Sequence, residues 1–72
     1  MTIKEEIINT RVEDYPEYGD EYWRGYRKAS TPDYDKKEVR MIIESNLIHG
    51  NLDNPIYRLY MRGLYEGLAA RK

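Results

Sequence analysis

Apolar side chains recur three or four residues apart along this chain, and none of its segments sustains the strict alternation of a strand bounded by hairpin turns. The pattern therefore predicts helices throughout. Thr2 followed by Glu5 reads as a capping box that opens a short helix with Ile3, Ile7 and Ile8 on its apolar side. That helix fades by the stretch VEDYP, because the residue ahead of Pro16 is pushed out of helical geometry. A second helix is expected over about residues 16–29, with Tyr15, Tyr18, Tyr22, Gly25, Tyr26 and Ala29 on one face and Trp23 at its margin. Asp20 and Arg24 are spaced as a favourable i, i+4 pair on that helix.

The run ASTPDYD breaks the pattern. A third helix follows, capped either by Thr31 ahead of Pro32 or by Asp35 with Glu38 in a box. Val39, Ile42, Ile43 and Leu47 make its buried stripe with Asn46 inside it, and Gly50 is expected to end it in a left-handed cap. Asn54 before Pro55 then starts a fourth helix that can run to the last residues. The predicted fold is all-α: a single domain, residues 1–72, forming a small compact bundle of three principal helices plus a short N-terminal helix.

One pattern occurs twice. YWRGYRKA at 22–29 and YMRGLYEG at 60–67 share Tyr, a large apolar residue, Arg, Gly, a large apolar residue and, three positions on, a small residue. Glycine inside a helix costs about 1 kcal/mol relative to alanine, so two such glycines imply a close approach of backbones. Gly25 with Ala29 lies beside Tyr22, and Gly63 with Gly67 and Ala70 continues the face of Ile56, Leu59 and Tyr60. Two helices crossing at these notches account for the repeat. The fourth helix also carries a nearly opposite arc of Tyr57, Met61, Leu64, Tyr65 and Leu68, leaving only Arg58, Arg62, Glu66 and Ala69 to face water. Such a helix is central. With two other sizeable helices to cover it, Tyr57, Met61, Leu64 and Leu68, joined by Trp23, are the candidate surface for a protein partner or a second copy.

Composition narrows the chemistry. With 72 residues and no cysteine the chain offers neither a disulfide framework nor thiolate metal ligands, and the expected compartment is the cytoplasm. It carries eight Tyr, one Trp and no Phe, a choice that suits thin cores and wet interfaces. The net charge of −1 conceals an asymmetry: two bases against seven acids in residues 1–22, ten bases against six acids thereafter. His49 sits where it can serve helix-terminal carbonyls, and Asp33 and Asp35 read as capping residues rather than a calcium loop. No phosphate-cradling glycine loop or nucleophile–base register is present, so no enzyme, cofactor or metal is expected. For RNA the candidates are Arg24, Arg27, Lys28, Arg58 and Arg62, with Lys36, Lys37 and Arg40 as further bases.

Two of these segments resemble the ribosome modulation factor family, small helical proteins of bacteria and their phages. The early Arg-Gly-aromatic segment is matched by Arg24, Gly25 and Tyr26. The C-terminal form Gly-aromatic-x-Glu-small-large-Ala-x-Arg is matched in GLYEGLAAR by Gly63, Glu66, Gly67, Leu68, Ala69 and Arg71 in register, with Leu64 in place of the aromatic residue. The resemblance implies a non-enzymatic regulator of translation whose basic residues bind rRNA of the small ribosomal subunit. The patterning itself leaves a protein-binding inhibitor or adaptor, phage-encoded and acting on a host protein, and a small structural homodimer as alternatives.

Overall fold

The computed structural model describes residues 2–71. Its elements in chain order are α1 (Ile3–Asn9), two 3-10 turns (Val12–Asp14 and Pro16–Tyr18), α2 (Gly19–Ser30), α3 (Lys36–His49) and α4 (Pro55–Ala70), with no strand among the described residues. The all-α expectation holds. Capping chemistry sets the boundaries. Thr2 accepts from the Glu5 amide at the start of α1, and Asn54 accepts from the Ile56 amide ahead of Pro55 in α4. Of the two caps open for α3, Asp35 is used, and its box with Glu38 is complete.

Three local expectations are corrected. Residues 16–18 form a 3-10 turn, and α2 proper begins at Gly19, because Tyr15 at φ −136°, ψ 61° turns the chain abruptly before Pro16. Gly50 is not left-handed: it is extended at φ −84°, ψ 157°. Glycine is required there for space, since a β-carbon would run into the Tyr57 ring, which is itself pinned by a hydrogen bond from its hydroxyl to the Asn46 side chain. Arg24 pairs with Glu21 at 2.9 Å, one residue closer along the helix than the expected Asp20.

The repeated segments pack on each other. A β-carbon on Gly25 would collide with the Tyr60 carbonyl and come within 3.1 Å of the Leu64 amide nitrogen. One on Gly63 would collide with the Tyr22 carbonyl and stand 2.8 Å from the Tyr26 nitrogen. Gly67 continues the seam against the Tyr26 carbonyl and Ala29. Rising positions on α2 thus meet rising positions on α4, so the two helices run parallel, with small residues four apart on each letting the backbones close. A parallel pair cannot be joined by a short loop. The segment between the helices, with α3 as its main element, supplies the return.

The crossing has an approximate two-fold relation written into the sequence. In each copy the Tyr backbone receives the other copy's Gly, and each Arg lies over the other copy's Tyr ring: Arg24 at 4.8 Å from the Tyr60 centroid, Arg62 at 5.7 Å from that of Tyr22.

The apolar arc of α4 is not free. Met61 and Leu64 are fully buried in one cluster with Ile7, Ala29, Val39 and Ile43, and Tyr57 and Leu68 are half-buried against it. The short α1 closes the side that α2 and α3 leave open, inserting Ile7 as its single buried residue. Met61 and Leu64 are therefore core, and the expected partner surface on α4 does not exist as an exposed patch. Ala70, placed by sequence on the glycine face, lies exposed at the helix end.

Candidate nucleic-acid interface

The five arginines and lysines singled out by sequence divide into two sets. Arg58 and Arg62 turn inward. Arg58 donates from Nε to Thr10 Oγ1 at 3.2 Å and from Nη1 to the Leu52 carbonyl at 2.9 Å. Arg62 donates to Glu66 at 2.7 Å and to the Thr10 carbonyl at 2.6 Å. Both therefore clamp the end of α1, where Thr10 is buried, onto α4. Their donors are committed, and they are removed from the candidate interface.

Glu66 anchors the same region from the other side. It accepts from the Tyr22 hydroxyl at 2.5 Å as well as from Arg62. Burial alone would raise its carboxyl, but the hydrogen bonds from Tyr22 and Arg62 outweigh this and hold it below the usual carboxylate range. The Tyr22 hydroxyl is pushed up to about 12 by burial and by the adjacent Glu66 carboxylate. Burial also raises the Tyr57 and Tyr65 hydroxyls.

Arg24, Arg27 and Lys28 make the second set, on the outer side of α2. Arg24 is exposed but shared between Glu21 and the Tyr60 ring. Arg27 is exposed, Lys28 half-buried, and neither makes an ion pair among the described residues. Lys36, Lys37 and Arg40 are also exposed and without an ion pair. Topology brings these groups to one end of the bundle. The C-terminal turns of α2 and α4 lie side by side, with Arg71 reaching the Ala29 carbonyl at 3.4 Å, and α3 begins five residues after α2 stops. Three acids share this end: Asp35 and Glu38 are occupied with each other's backbone in the capping box, and Asp33 is exposed in the loop between α2 and α3. Glu13, Asp14, Glu17, Asp20, Glu21 and Asp53 belong to segments at or before the opposite ends of these helices. The asymmetry of the sequence becomes a polarity of the molecule.

Trp23 occupies the outer face of α2 one turn before Arg27 and is 53% exposed. Its ring contacts Tyr22 at 5.1 Å and Tyr26 at 5.6 Å, both edge-on. Of the residues first assigned to partner binding, it alone remains fully on the surface.

No group of acidic, histidine or cysteine side chains among the described residues is arranged to hold a metal ion. His49 is exposed in the last turn of α3, and no helix is long and apolar enough to cross a membrane. A surface groove of about 500 Å³ runs between α1 and the α3–α4 loop past Arg58, Thr10, Tyr15 and Leu52.

Sequence reasoning missed Thr10 altogether, because a threonine after an isoleucine pair carries no periodic signal of its partners. The Arg62–Glu66 ion pair at 2.7 Å was missed as well, although its i, i+4 spacing is a signal that could have found it. No family model matches this chain, and neither does any curated protein or solved structure.

Proposed function

We propose that this protein is a non-enzymatic RNA-binding regulator of translation that associates with the ribosome through the basic end of its bundle. The observation that carries this reading is the placement of Lys36 and Lys37 in the first turn of α3. Cations at a helix N-terminus oppose the helix dipole and cost on the order of 0.3–1 kcal/mol each, so helix stability does not account for them. Arg27 and Lys28, in the last turn of α2, would suit the dipole alone; with Lys36, Lys37 and Arg40 across the 31–35 loop they make a net positive field in excess of Asp33, Asp35 and Glu38. Such a field concentrates a polyanion near the surface. The ribosome enters from the resemblance of the RGY and GLYEGLAAR segments, whose glycines build the helix crossing that presents this end. Co-sedimentation of the purified protein with ribosomes at low salt tests the reading. It should pellet with them and be released as salt rises; a protein that stays in the supernatant refutes it.

A protein partner, either a host target or a second copy of the chain, is the second reading. Met41 and Ile48 favour it: they lie two turns apart on one stripe of α3, 60% and 75% exposed. Light scattering across concentration tests the second-copy form, and a persistent monomer removes it.

A further inference from the structure

We infer that the ligand of the α2 face is single-stranded RNA, held by stacking of a base on Trp23 with the adjoining phosphates drawn along Arg27 and Lys28 towards Lys36 and Lys37. The inference rests on the RNA reading above and adds to it the form of the nucleic acid and its point of contact.

Trp23 is the chain's only tryptophan, and more than half of its surface is open. It is also braced. Tyr22 and Tyr26 meet it edge-on from the same helix, and the Tyr22 hydroxyl is fastened to Glu66 across the crossing. The ring is therefore presented in a fixed attitude from a helix whose backbone is locked against α4 at Gly25 and Gly63, which lowers the ordering cost of stacking. Charge around it is directional. Asp20 and Glu21 lie one turn or less before the ring, and Glu21 holds Arg24; Arg27 lies one turn after it on the same side, and Lys28 follows about 100° further round the helix, neither in an ion pair. A strand stacked on Trp23 is repelled on one side and attracted on the other, so its backbone runs towards the basic end.

A projecting ring beside a basic track discriminates between forms of RNA. Duplex bases are already stacked on each other and offer phosphates alone, whereas an unpaired base offers its face. A polyanion without rings, such as polyglutamate, offers charge and nothing to stack.

The sole tryptophan is its own reporter. Titration of the intact protein with an unlabelled oligouridine of about twelve nucleotides should quench Trp23 emission. Anisotropy with a labelled copy should show binding at least about tenfold tighter than to a duplex of equal length, and a polyglutamate of equal charge should bind no better than the duplex. Trp23→Ala should weaken the oligouridine roughly 5- to 100-fold and leave the duplex affinity unchanged, while Trp23→Phe keeps most of the binding. Circular dichroism melts confirm that the variants remain folded. Equal affinity for duplex and single strand, comparable binding of polyglutamate, or Trp23 emission that does not respond to bound RNA would overturn the inference. If the wild-type protein pellets with ribosomes yet its tryptophan ignores oligouridine, the single-strand inference fails and the ribosome reading stands. If it neither pellets nor responds, both fail.

Discussion

Gly63 lies so close to the backbone carbonyl of Tyr22 that no β-carbon fits between them. The obstacle on the far side is main chain, which cannot swing away as a side-chain tip could. Gly63→Ala should therefore destabilise by about 1–3 kcal/mol, lowering the melting temperature by roughly 5–20 °C, even though alanine is the better helix former. Gly19→Ala is the matched control. Its β-carbon would sit 3.7 Å from Val12, an ordinary contact, in a helical conformation at φ −57°. That change should leave the melt unchanged or raise it slightly. Opposite signs in the two variants identify backbone approach as the reason for the repeated glycine.

Leu64 and Ile48 make a second contrasting pair. Leu64→Asp places a charge at a fully buried site and should abolish the cooperative thermal transition, whereas Ile48→Lys, at a position 75% exposed in the last turn of α3 where a cation suits the dipole, should stay within about 0.5 kcal/mol of the parent. Thermal melts by circular dichroism decide the matter. A folded Leu64→Asp monomer would mean that the arc of α4 is surface after all.

These two cases mark how far the sequence could be read. The repeat, the capping residues Thr2, Asp35 and Asn54, and the stripe of Val39 and Ile43 were legible because each rests on fixed spacing within one helix. The fate of Leu64 was not, because it depends on where a seven-residue helix docks, and α1 has one buried side chain to announce it. The same holds for Arg58 and Arg62. On a helical wheel they stand on the polar strip; in the fold, that strip faces Thr10, fifty residues away in sequence. The basic end was half visible: the charge asymmetry showed in composition and the short 31–35 loop links the ends of α2 and α3, but only a parallel α2–α4 pair brings Arg71 to the same end.

Arg62 should govern the attachment of α1. Arg62→Met removes the donor to the Thr10 carbonyl, and hydrogen bonds to charged groups contribute about 1.5–3 kcal/mol. Hydrogen exchange should accelerate roughly tenfold or more across Ile3–Asn9 while the amides of α2 and α4 keep their protection. Uniform acceleration in every helix would show that Arg62 supports the whole fold rather than the α1 clamp.

The Tyr22–Glu66 bond makes stability fall at both pH extremes. Tyr22 is raised from 10.0 to about 12 in the folded protein, so its contribution is complete below the unfolded value and is lost as pH climbs from about 10 through 12. Glu66 is lowered from 4.5, so its contribution is present above that value and is lost as pH falls through the folded one. Urea unfolding as a function of pH should show Tyr22→Phe flattening the alkaline limb and Glu66→Gln flattening the acid limb. Unchanged limbs would mean that the bond does not form in solution.

Ribosome binding by the basic end is the central claim, and co-sedimentation of wild type beside the Arg27→Glu, Lys28→Glu double variant tests it most directly. At about 50 mM salt the wild type should pellet with ribosomes, and the double variant should remain in the supernatant while still melting cooperatively, a few degrees lower because two acids now oppose the α2 dipole. A folded double variant that pellets as well as wild type would contradict the account.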